Sequence, residues 1–418
     1  MRSRPPARIR EIAAFAAALG AAACNGPSSA PVPDASSSAS SSSAVSAPKR
    51  DGRRPPVVAP TDAADGGLAR RALPRIQYRG GRFLKHPRIT TITFTKDDPK
   101  VVARLEQLGG MITRSSWWKA VTEGYCNDEG ACIGEGSSAP PVHLDDALPA
   151  DLGENELEAI LARAAPKLGP LDDDTLLLVY LPAGVGFHDS LGAFCGNGPR
   201  GLHRSTDVTK DKRVAFAVVP RCGSESELTG TASHEVLEST TNPFPAERGF
   251  AFAGGSTISG FGFAGLEPVD PCGLVNASAH WTVEGGFVLQ RAWSNRAAAA
   301  GADPCVPSRP GMPYAMLVPR ELGVRLLKEG ETQTLELDAT TADATVSSWA
   351  ASTFDATGQL DRTTYVEVGL DKATVRAGDT LALTVTLKKK PPSNRSVVGL
   401  VSTIGVHSHM WPLLVVTR

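Results

Sequence analysis

Ser233-His234-Glu235-Val236-Leu237-Glu238-Ser239-Thr240-Thr241-Asn242-Pro243 is the stretch on which the reading of this 418-residue chain turns. Residues four apart share one face of a helix, so His234 and Glu238 can both point at one ion. Glu235 stands where the general base of a zinc hydrolase stands in His-Glu-x-x-His helices, but Glu238 replaces the second histidine. The apolar pattern predicts a helix over 226–241, with Asn242-Pro243 closing it, because a residue before proline avoids the helical region. A helical wheel sets Glu227, Gly230, Thr231, His234, Glu238 and Thr241 opposite Leu228, Ala232 and Val236. The apolar side is then expected to bury and the His/Glu side to face a cleft.

A metal needs another ligand. Glu267-Pro268-Val269-Asp270-Pro271-Cys272 offers two carboxylates after a Gly- and Phe-rich loop at 249–266. His234, Glu238 and one of these carboxylates would leave an open position for water. Glu267 is the preferred ligand, with Asp270 orienting His234 or capping the turn. Zinc is the expected ion, with Glu235 taking the proton of its water. A one-histidine, two-carboxylate set is also compatible with calcium, manganese or magnesium. His203, in a glycine-rich segment, is read first as a structural histidine and second as an oxyanion stabiliser. There is no Gly-x-Ser-x-Gly elbow to support a serine hydrolase.

Upstream, strands are expected at 88–95, 175–182 and 213–220, and helices at 99–108 (capped by Asp98), 113–124 and 154–168. After Pro307 helical patterns disappear. Short strands at 332–337, 366–370, 374–375, 380–387, 397–404 and 411–416 predict a small immunoglobulin-like β-sandwich, read as an accessory module. The fold class is therefore α+β. A zincin-like mixed core with an active-site helix is expected over 76–310, followed by the sandwich over 311–418.

The beginning of the chain reads as an export signal over 1–23. Arg2, Arg4, Arg8 and Arg10 precede an apolar run that ends in Ala21-Ala22-Ala23-Cys24. Lipidation of Cys24 is preferred over an ordinary secretory cleavage, which points to an outer-membrane-anchored lipoprotein of the cell envelope. Residues 24–75, rich in Ser, Ala and Pro, form a tether without apolar periodicity. With Cys24 set aside, six cysteines remain, and an even set in an exported chain argues for disulfides. Of the fifteen connectivities, sequence order and short loops favour Cys126–Cys132, Cys195–Cys222 and Cys272–Cys305. With 43 basic and 44 acidic residues, nothing suggests a nucleic-acid partner. Membrane attachment is expected through the lipid alone.

The helix motif and Glu267-x-x-Asp270-x-Cys272 together resemble the plant phosphate-induced (Exordium-like) family and related exported bacterial proteins. Trp117-Trp118 with Tyr125, Val179-Tyr180-Leu181-Pro182, Cys195 with Gly201-Leu202-His203, Ala217-Val218-Val219-Pro220-Arg221-Cys222, and Trp293-Ser294-Asn295 with Cys305 extend the likeness over about 88–306. It implies a zincin-like metallopeptidase core acting on a peptide or protein, and it implies the 195–222 and 272–305 disulfides. The bacterial relatives usually carry Thr-Asp-Pro where this chain has Thr241-Asn242-Pro243, although the plant branch tolerates Asn. The alternative function is a non-catalytic envelope- or matrix-binding lipoprotein with a structural metal.

Overall fold

The computed structural model describes residues 73–418, apart from 190–191, 196–199, 245–246, 253–266, 274–280, 310, 342 and 392–393. The expected signal, Cys24, nearly all of the tether, His280 and most of the Gly/Phe-rich loop lie outside the described residues. No described helix is long and apolar enough to cross a membrane.

In chain order the first part contains β1 (Ile76–Tyr78), β2 (Arg88–Phe94), α1 (Pro99–Met111), α2 (Ser116–Thr122), β3 (Ser137–Ser138), β4 (Val142–Leu144), α3 (Glu154–Ala164), β5 (Thr175–Tyr180), β6 (Leu202–Thr209), β7 (Lys212–Val219) and α4 (Glu225–Thr241). It continues with β8 (Phe250–Phe252), α5 (Asp270–Gly273), β9 (Trp281–Glu284), β10 (Phe287–Gln290) and α6 (Asn295–Ala299). Strands β2, β5 and β7 run parallel, β3 and β4 pair with β2, and β6 closes the other edge antiparallel to β7.

Strand alternation sends the two sets of apolar side chains to opposite faces. Leu176, Leu178, Ala215 and Ala217 join the core beneath α1, α2 and α4. Leu177, Val179, Phe216 and Val218 pack with Leu157, Ile160 and Leu161 of α3. A sheet covered on both faces explains why β5 reads as an unbroken apolar run.

Local rules account for the helix ends. Asp98 accepts from the Lys100 backbone N–H, as its position before Pro99 suggests. The helix expected over 113–124 is split, because Ser115 caps a new start by accepting from Trp118. The helix from Glu154 passes into a 3-10 turn at Ala165–Lys167, around Pro166. Helix α4 opens with a capping box in which Ser224 and Glu227 satisfy each other's backbone N–H.

The second part is a two-sheet β-sandwich of β11 (Met316–Pro319), β12 (Arg325–Leu327), β13 (Thr332–Thr340), β14 (Trp349–Asp355), β15 (Val366–Leu370), β16 (Thr374–Val375), β17 (Thr380–Leu387), β18 (Arg395–Ile404) and β19 (His407–Thr417). One sheet has the order β11-β13-β17-β15 and the other β12-β19-β18-β14-β16. A short helix, α7 (Ala356–Asp361), breaks the expected all-β texture. Asp355 caps it by accepting from Gly358.

The sandwich does not stand off from the first part. A single apolar core runs from Ile76 and Trp117 through Trp293 to Trp349 and Val415. Trp411 of β19 lies edge-on to Phe252 at 5.9 Å and to Trp293 at 6.1 Å. Beneath this junction, buried Arg291 bonds to Asp303 and to the carbonyls of Cys305 and Pro307.

His409 sits edge-on to Tyr314, and neither of its ring nitrogens has a hydrogen-bond partner. Burial lowers its pKa to about 4, with Asp303 opposing and Arg291 and His407 reinforcing the shift. The ring is therefore neutral in the folded protein and protonates more readily on unfolding. Its contribution is complete above the ordinary histidine value of 6.5 and lost as pH falls towards about 4. At 1.36 kcal/mol per unit the loss is about 3 kcal/mol. In urea titrations, His409→Phe is expected to flatten this part of the stability–pH curve; an unchanged slope would refute the assignment.

Candidate metal centre

Four segments bring the candidate residues together. Helix α4 carries His234, Glu235 and Glu238; β6 carries His203; the start of α5 carries Asp270, with Glu267 just before it; β10 ends at Gln290. The antiparallel register sets His203 opposite Ala217 on β7, at the sheet edge beside α4. Gly201 permits the close approach of strand and helix. A Cβ there would meet Glu235 Oε1 at 2.5 Å and Thr231 Cγ2 at 2.7 Å.

The acidic segment is held from several sides. Cys272 is bonded to Cys305, the Trp293 N–H donates to Pro268 O at 2.8 Å, and the Glu267 N–H donates to Asp270 Oδ2 at 3.1 Å. All three expected disulfides form. They are compatible with an extracellular setting.

His234 Nε2 is 2.9 Å from Glu238 Oε2 and 3.9 Å from Asp270 Oδ1. These three residues form one compact donor group, each offering a ligand atom within 4.8 Å of the others. Glu267 turns instead to His203 Nε2, at 3.5 Å. The geometry therefore favours Asp270 over the preferred Glu267 as the third donor beside His234. The Glu267 N–H holds the Asp270 carboxylate in place near His234, while the Glu267 side chain faces His203.

His203 lies at the centre of the cluster. Its Nδ1 is 3.3 Å from Glu235 Oε2 and 3.7 Å from Glu238 Oε2, and these residues form a second compact donor group. Sequence reasoning placed His203 first as a structural residue; Gly201-Leu202-His203 was the available signal. Gln290 went unnoticed. It accepts from His234 Nδ1 at 3.1 Å, while its own backbone N–H donates to Ser233 Oγ at 2.8 Å. With Nδ1–H held by Gln290, Nε2 is the nitrogen turned to the carboxylates, the arrangement typical of a ligating histidine.

The His/Glu side of α4 is more enclosed than the wheel suggested. Glu235, Glu238, His203 and Asp270 are buried, and only the side chains of His234 (21%) and Glu267 (20%) retain appreciable exposure. The cause is tertiary, since β10 and the acidic segment lie against the face left polar by the helix pattern.

Electrostatics follow from this enclosure. Burial disfavours charged His203, but Glu267, Glu235 and Glu238 outweigh it and raise the pKa to about 10. Burial opposes charge on His234 too, and Glu238, Glu235 and Asp270 still push it well above the ordinary value. Burial raises Glu238 strongly, with Asp270 and Glu267 adding to it. Burial also raises Asp270, to about 6. Burial would raise Glu267, but His203 holds it below the usual value.

Four carboxylates, three of them buried, thus face two imidazoles, and Arg248 adds its field at Glu267. Without a metal, protons on the imidazoles and on the raised carboxyl groups balance the charge. A bound cation would displace these protons. Glu238 Oε1 is buried without a hydrogen-bond partner, as expected of an oxygen reserved for a cation. The donor set fits a divalent ion.

Asn242 anchors the chain beyond the helix end. Its Oδ1 accepts from the N–H groups of Gly249 and Phe250, and its Nδ2 donates to Phe250 O at 3.1 Å. An aspartate could not make the last bond. This anchoring turns the start of the expected loop into strand β8, paired with β1.

No protein-family model and no curated protein matches the chain. Among solved structures, domains 4 and 5 of the S-layer protein SbsC align at 14% identity with a TM-score of 0.18, covering 25% of this chain and 54% of that one. A chimeric titin Z1Z2 carrying a decorin peptide aligns at 18% identity and a TM-score of 0.17, covering 25% and 93%. The titin M3 domain aligns at 10% identity and 0.17, covering 26% and 99%. Likenesses at these TM-scores carry no argument about fold or function.

Proposed function

We propose that this chain is an exported metalloprotein, tethered to the cell envelope by a lipid on Cys24, with a zincin-like core that hydrolyses peptide bonds. Zinc would be held by His234, Glu238 and Asp270. The observation that carries this reading is the convergence of two imidazoles and four carboxylates from separate segments at one buried place. The antiparallel edge strand β6 beside a His-Glu-x-x-Glu helix and the Exordium-like resemblance also support it.

Bound zinc supplies Lewis acidity and brings a water's pKa near neutrality. Glu235 would take that water's proton, with His203, 3.3 Å away, orienting its carboxylate. Gln290 fixes the ring of His234. Substrate would approach past His234 and Glu267, the two partly exposed members.

The expected result of Glu235→Gln is a fall in peptide hydrolysis of about 10²–10⁴-fold with the His234-held ion retained, read by turnover and elemental analysis. One observation favours a second reading, a non-catalytic envelope-binding lipoprotein with a structural metal: Glu235 is only 5% exposed. Metal-loaded wild type and variant that are equally inert across a broad peptide library would select that reading.

A further inference from the structure

We propose that the cluster is a two-cation centre, in which Glu238 is shared between one ion held by His234 and Asp270 and a second held by His203 and Glu235. This rests on the metal-binding reading above and adds a second divalent ion of the same hard-to-borderline class.

Three observations carry it. The described residues contain two compact donor groups, His234/Glu238/Asp270 and His203/Glu235/Glu238, with Glu238 common to both. Glu238 Oε2 lies between the two imidazoles, 2.9 Å from His234 Nε2 and 3.7 Å from His203 Nδ1. The other oxygen, Oε1, is buried and makes no hydrogen bond, so the carboxylate has both oxygens to offer. A carboxylate needed by one ion alone would be expected to have its second oxygen satisfied by the protein.

The histidines are alike in part. Each turns one nitrogen to Glu238; His234 is held on its other nitrogen by Gln290 Oε1 at 3.1 Å, while His203 Nε2 faces Glu267 Oε2 at 3.5 Å as an ion pair without a hydrogen bond. A ligating imidazole is typically held in this way by a partner on its far nitrogen. Mixed imidazole and carboxylate donors suit manganese or zinc. In this arrangement Glu235 is a ligand of the second ion rather than a free base. Glu267 is an orienting group, which accounts for its turn away from His234.

The test uses the full chain, stripped with chelator, reloaded with Mn²⁺ alone and dialysed. Wild type is expected to retain two Mn²⁺ per chain and to show the low-temperature paramagnetic resonance of an exchange-coupled pair. His203→Ala should retain one Mn²⁺ and show the six-line spectrum of an isolated ion. Glu235→Gln, nearly identical in shape, provides the same readout should the alanine variant fail to fold. One Mn²⁺ in wild type with a six-line spectrum would overturn the two-ion centre and leave the single-ion reading standing. No Mn²⁺ in folded wild type would overturn both.

Discussion

Chelation of divalent metal is expected to lower the midpoint of thermal unfolding by roughly 10 °C, and His234→Ala to weaken metal binding by more than about 100-fold. The first figure follows from linkage. A ligand at a thousand times its Kd stabilises the folded state by about 4 kcal/mol, and each kcal/mol moves the midpoint by about 2–4 °C in domains of 150–250 residues. The second follows because loss of an outer-shell partner alone costs about 10–100-fold in affinity, and His234 supplies a donor atom itself. In this protein the stabilisation would come from relieving crowded carboxylates. Glu238 and Asp270 face each other and Glu267 in a buried place, and a cation removes the need for protons there. Scanning calorimetry with and without chelator checks the first figure. A midpoint that does not move, in protein shown to carry metal beforehand, would contradict it.

Trp411→Ala should cost about 3–5 kcal/mol of stability, the usual range for truncating a buried aromatic residue. Trp411 is fully buried, with its ring set edge-on to Phe252 and Trp293. Phe252 belongs to the strand anchored by Asn242, and Trp293 holds Pro268 by a backbone bond. The cavity left by the indole would therefore loosen the Glu267–Cys272 segment as well as the sandwich. Urea unfolding should show lower stability, and metal affinity should fall with it. A cost below about 1 kcal/mol with unchanged metal affinity would mean that the sandwich is an independent module.

Local physics made much of the fold legible. The near-continuous apolar runs of β5 and β7 announced buried strands, and Asp98 and Asn242 marked helix ends where the structure has them. Cysteine order was enough for the disulfides. The sandwich strands were visible by alternation, but β11, β12 and β14 were not. Trp349–Asp355 mixes polar and apolar residues, and it becomes a strand by pairing with β18.

At the site the division has a clear physical origin. The sequence by itself determined that His234 and Glu238 share a helix face, because four-residue spacing does so wherever the helix lies. It also supplied the two downstream carboxylates, tied by Cys272 to a disulfide. Only the tertiary structure decided that Asp270 meets His234 while Glu267 meets His203, since the Cys272–Cys305 disulfide and the Trp293 N–H to Pro268 O bond fix where the acidic segment lies against α4 and β6. It alone brought in Gln290, 56 residues after His234, and set His203, which the sequence offered only as a second-choice site residue, against Glu235, Glu238 and Glu267 through strand register. It also enclosed a helix face that the hydrophobic pattern left to solvent. Periodicity records which residues can tolerate water, whereas burial depends on what the rest of the chain lays over them.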